Sequence, residues 1–149
     1  MIKKAKLALY FLSAVMLTLL LTSVAGTQLV LADIVGFGLE VPWSTRVTAT
    51  GHDIIGLAPV MSVLISAAFL VAFGVAALCK RFIGGNRTGW YLTAGFTSIP
   101  VTLWLIKLTM GVTLFAAARS GLGMLLTALC GVAGAYVFAR LTQPRGVVQ

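Results

Sequence analysis

The chain has 149 residues, 60% of them hydrophobic and only 9% charged, with a formal net charge of +8. A soluble domain carries about 25% charged residues, so this composition cannot clothe a water-soluble fold, and the length allows one domain. In a soluble protein the positive charge would point to nucleic acid; here the cations stand where topology signals stand, and nucleic acid is set aside as a partner.

Four apolar stretches, 7–31, 54–78, 90–106 and 122–139, each approach the ~20 residues a helix needs to cross a bilayer. They predict an all-α membrane protein. Residues 1–149 form a single integral membrane domain, a compact four-transmembrane-helix bundle. An external loop joins the first two helices, and a short interfacial helix follows the third.

The first span is preceded by Lys3, Lys4 and Lys6, and Val30-Leu31-Ala32 resembles a signal-peptidase site. The apolar run far exceeds the ~7–15 residues of a secretory h-region, so the segment is expected to stay as a span. Tyr10 and Phe11 suit an aromatic belt. Ser13, Thr18, Thr22 and Ser23 can turn their hydroxyls back to the helix backbone.

The stretch Asp33–Asp53 reads as the external loop. Gly36-Phe37-Gly38 suggests a turn. Val41, Trp43, Thr45 and Val47 alternate with period two, which suggests a short extended piece, with Pro42 demoting it to an edge and Trp43 at headgroup depth. Asp53 is expected as the N-cap of the second helix, where its carboxylate meets orphan N–H groups. Pro59 then falls in the first turns. Further on, Ala68, Ala72 and Ala76 repeat every four residues beside Gly74, a spacing that admits a neighbouring backbone.

Phe82–Gly89 is a tight turn. Its Asn86-Arg87-Thr88 matches the glycosylation sequon, on the wrong side of the membrane for that modification. The third span opens on Trp90 and Tyr91. Pro100 should kink it, with Thr97 and Ser98 helping to satisfy freed carbonyls, and Lys107 can snorkel outward. Leu108–Ala118 is expected to form the interfacial helix. In the fourth span Gly123, Thr127, Gly131 and Ala135 repeat every four residues and form the best helix-packing face, assigned to the bundle ahead of a homo-oligomer.

Lys3, Lys4, Lys6, Lys80, Arg81, Arg87, Arg140 and Arg145 are eight of the eleven Lys and Arg residues. All fall on one side if the four spans alternate. By the positive-inside rule both termini are cytoplasmic, and the strict pattern in a compact chain suggests the bacterial inner membrane, with anionic lipids as partners. The general plan is similar to that of small four-span inner-membrane proteins of bacteria.

Chemistry-bearing residues are few. Asp33, Glu40 and Asp53 are the only acids, and with His52, Lys107 and Arg119 they make one candidate external polar cluster. Ion pairing from Lys107 or Arg119 to one of these acids would staple the loop to the bundle. His52-Asp53 is the only pair suggestive of general-base work, though no nucleophile motif accompanies it. Cys79 and Cys130 stand at different depths, beyond the ~7 Å between Cα atoms that a disulfide tolerates. A single histidine with three dispersed acids does not make a metal or haem site, and no cofactor motif is present. The expected role is a non-enzymatic accessory, assembly or scaffold component with a membrane-protein partner or as a homo-oligomer. An oligomeric permease ranks second and an intramembrane enzyme third.

Overall fold

The computed structural model describes residues 2–38, 40–111 and 120–143. Among them every regular element is an α-helix: α1 (Ile2–Gly36), α2 (Trp43–Ile83), α3 (Arg87–Met110) and α4 (Gly121–Leu141). All four are long and apolar enough to cross a membrane. This is the form lipid demands, because a helix satisfies its backbone groups within one segment. α1 packs on α2, α2 on α3, α3 on α4, and α4 closes the ring against α1.

The helices overrun the apolar stretches, most of all around the first connection. Residues between Asp33 and Asp53 were expected as loop; instead α1 runs to Gly36 and α2 starts at Trp43. Pro42 sits at the N-cap of α2 with φ −64° and ψ 155°. The residue expected to spoil a strand therefore opens a helix, its lack of an N–H costing nothing at that position. The two-residue alternation from Val41 to Val47 is overridden: Thr48 and Thr50 stand in helical register, bonding the Ser44 and Arg46 carbonyls at 2.8 Å. Asp53 is consequently no N-cap: it lies inside α2, as does Pro59.

A layer of aromatic rings fills the bundle interior near the end that carries the α2–α3 turn. Phe73 stacks on Phe69 at 4.8 Å and on Phe138 at 4.6 Å. Phe11 and Tyr91 meet Phe73 and Phe138 edge-on at 5.5 to 6.3 Å. Phe11 thus belongs to the core instead of an aromatic belt, and Tyr10 packs against the same core. From this layer α3 runs on to Met110 and α4 back to Gly121, about 28 and 26 Å at 1.5 Å per residue. In the same direction α1 reaches Gly36 and α2 reaches Trp43, about 38 and 45 Å away. The α1–α2 hairpin therefore overhangs the other two helices by roughly 10 Å.

The close contacts of α4 are made by small residues. A Cβ on Gly131 would strike the carbonyl oxygen of Gly95, and one on Gly134 would strike Thr18 Oγ1 and come within 2.9 Å of the Ala14 carbonyl. Gly131, Ala135 and Gly95 bring α3 and α4 together, and Gly134 receives α1, the approach that small residues permit.

The turns follow local chemistry. Gly84 and Gly85 both take positive φ, 79° and 85°, and Asn86 caps α3 by accepting the Thr88 N–H. α3 does not continue as an interfacial helix from Leu108: it runs to Met110 and stops at Gly111, whose left-handed φ of 66° lets its N–H close on the Lys107 carbonyl. The remainder of the predicted interfacial helix, residues 112–118, lies outside the described residues. Pro100 is inside α3, where it leaves the Phe96 carbonyl without its usual donor. Thr97 and Ser98 bond Thr93, Ala94 and Gly95 instead. A helical hydroxyl reaches back three or four residues, so Phe96 is too near for either.

Candidate functional site

Two features stand apart from simple packing: a polar ladder between α1 and α2, and a groove between α2 and α3.

The ladder lies towards the overhanging end. Thr27 Oγ1 contacts Asp53 Oδ2 at 2.6 Å and the Ser23 carbonyl at 2.9 Å. Gln28 accepts from Arg46 Nη1 at 3.2 Å and offers its Nε2 to Thr50 Oγ1 at 3.5 Å. Arg46 also lies over the Trp43 ring at 5.9 Å. Arg46, Thr50 and Asp53 stand at i, i+4 and i+7, one face of a helix, opposite adjacent Thr27 and Gln28. That spacing was present in the sequence. It was hidden by reading the segment as loop, where helical spacing has no meaning.

The predicted polar cluster is only partly gathered here. Asp53 is half-buried on Thr27, while neighbouring His52, Asp33 and Glu40 are exposed. Lys107 is exposed in the last turn of α3. Among the described residues no carboxylate lies within 4.0 Å of Lys107, and Arg119 lies outside them. The carboxylate of Asp53 is directed across the helix pair, so the sequence neighbours His52 and Asp53 do not form a general-base pair with each other. Among the described residues no three His, Cys, Asp or Glu side chains could hold a metal ion. Cys79 and Cys130 are free thiols.

The groove has a volume of about 520 Å³, within the range of ligand pockets. Its α2 wall is made by Ala68, Ala72, Ala76 and Cys79, and its α3 wall by Trp90, Thr97, Val101 and Leu105, among others. It therefore occupies the alanine stripe recognised in the sequence. The hydroxyls along it are already spent: Thr93, Thr97, Ser98 and Thr102 all bond carbonyls of α3 itself. The wall offers methyl and methylene groups, not donors. Trp90 closes one end, its indole N–H held by the Gly84 carbonyl at 2.9 Å.

The predicted packing face is on the inside: Gly123, Thr127, Gly131 and Ala135 are all buried, with the Thr127 hydroxyl bonded to the Met124 carbonyl. Thr22 Oγ1, also buried, has no hydrogen-bond partner among the described residues. At the opposite end from the ladder, Arg87 clamps the end of α4, donating to the carbonyl and the hydroxyl of Thr142 at 2.9 and 2.8 Å while lying over Tyr91 at 5.2 Å.

Comparison with protein-family models, with curated proteins and with solved structures gives no match.

Proposed function

We propose that this chain is a multi-pass protein of the bacterial inner membrane that serves as a non-enzymatic accessory, assembly or scaffold component of a larger membrane complex. In this reading the termini and the turn carrying Lys80, Arg81 and Arg87 are cytoplasmic, the orientation that the positive-inside rule favours for this concentration of cations. The overhanging α1–α2 hairpin then stands on the far side. The observation that carries the reading is this overhang. Its base is tied by the Thr27–Asp53 and Gln28–Arg46 bonds, and it ends in bare apolar side chains: Phe37 is 85% exposed, Trp43 81% and Val47 70%. Beyond the hydrocarbon core, where lipid tails no longer cover such side chains, their exposure favours contact with a partner.

The bundle interior favours this reading over a permease. The stacked rings of Phe69, Phe73 and Phe138 occupy it. Of the hydroxyls that could line a path (Ser62, Ser66, Thr97, Thr102 and Thr127), all but that of Ser66 are bonded within their own helices.

The test is native-size analysis of the full chain in mild detergent, with mass spectrometry of its company. A second polypeptide in fixed stoichiometry is expected. Phe37→Ser with Trp43→Ser should release it while leaving the helical content unchanged. A pure homo-oligomer that lets small solutes through vesicle membranes would replace this reading with the permease.

A further inference from the structure

We propose that the α2–α3 groove is a binding site for one acyl chain of an anionic phospholipid, whose phosphate is held at the groove mouth by Lys80 and Arg81. The proposal stands independently of the accessory role.

Length argues for a lipid chain. From Cys79 to Ala67 the groove follows α2 for about 18 Å. Half of a ~30 Å hydrocarbon core, the depth of one leaflet, is about 15 Å. The groove is therefore as deep as the tail region of one leaflet. A partner helix or a second copy would cross both leaflets and would need an open stripe along the whole span. The groove ends at Ala67: no α2 residue before it lines the groove.

Chemistry argues the same way. The groove walls are apolar, since their hydroxyls serve the α3 backbone. The mouth is cationic. Lys80 stands four residues after Ala76 and eight after Ala72, so it continues their stripe, and Arg81 follows it. At this end of the bundle Arg87 is committed to Thr142 and Tyr91, and Arg140 to Tyr136. Lys80 and Arg81 have no hydrogen-bond partner among the described residues. All three acids of the chain stand at positions 33, 40 and 53, towards the other end of the molecule. The acidic side chains thus offer Lys80 and Arg81 no partner, and a phosphodiester above an acyl tail supplies a complementary charge at the right depth. Trp90, fixed at the mouth by Gly84, marks headgroup level.

The experiment uses the full chain with Trp43→Phe and Trp104→Phe, which leaves Trp90 as the reporter. It is placed in phosphatidylcholine vesicles containing a minor share of phosphatidylglycerol, with bromine on the acyl chains of one lipid or the other. Brominated phosphatidylglycerol should quench Trp90 well beyond its share of the bilayer, and beyond brominated phosphatidylcholine at equal share. Lys80→Gln with Arg81→Gln should reduce that preference about 30-fold, each cation near the surface being worth about a factor of five. Ala72→Phe, which fills the groove, should lower quenching by both lipids; Leu105→Phe on the opposite rim does the same should Ala72→Phe not fold. Equal quenching by the two lipids would overturn the proposal. So would a disulfide-linked dimer formed through Cys79 in the membrane, which would give the groove to a second copy.

Discussion

Gly95 of α3 and Gly131 of α4 face each other backbone to backbone: a Cβ on Gly95 would come within 2.6 Å of the Gly131 carbonyl oxygen and would strike Ala135 as well. Since neither obstacle is the flexible end of a side chain, the two helices must separate to admit a methyl group. Gly131→Ala should cost about 1–3 kcal/mol, the range for overpacking, read from reversible unfolding in detergent. Gly74→Ala, with open space around it, should be neutral or slightly stabilising because alanine favours a helix. Equal effects of the two substitutions would refute the close α3–α4 contact.

The aromatic layer makes a second prediction. Phe73→Ala removes the ring that touches Phe11, Phe69, Tyr91 and Phe138. In soluble cores a buried Phe→Ala costs about 3–5 kcal/mol; in lipid the transfer component shrinks and the packing loss remains, so about 2–3 kcal/mol is expected. Phe82→Ala, at a side chain 80% exposed, should leave the same unfolding curve in place.

Thr27 and Asp53 belong to different helices and are joined by one bond of 2.6 Å. Thr27→Val keeps the shape and deletes the donor. Because Asp53 is only half-buried, water replaces part of the loss, and about 1 kcal/mol is expected. Combined with Asp53→Asn in a double-mutant cycle, the effects should be non-additive. Additive losses would show that the contact contributes nothing to holding the hairpin together.

Arg87 binds both the carbonyl and the hydroxyl of Thr142 while covering Tyr91. Lysine keeps the charge and loses the planar fork. Arg87→Lys should therefore loosen the last turn of α4 by about 1 kcal/mol, seen as faster amide exchange confined to residues 139–143, with the aromatic layer unchanged.

Much of the architecture was legible in the amino-acid order. Hydropathy is a local property, and a bilayer turns it directly into secondary structure, since a backbone in lipid must bond within its own helix. Four spans, the Gly84-Gly85 turn and the small-residue faces at Gly131 and Ala72 could all be read from spacing. Helix extent outside the apolar stretches could not, because there water competes for the backbone and apolarity no longer marks the boundary. Pro42 is as compatible with an edge strand as with a helix start, and Asp53 suits an N-cap as well as a mid-helix partner. Which face met which neighbour was decided only by the tertiary fold. Phe11 turned inward because three other helices brought rings to its level, Thr27 found Asp53 because α1 and α2 pack side by side, and the Ala72 stripe became one wall of a groove because α3 supplies the other. Such relations depend on positions far apart in the chain, and no window along the sequence contains them.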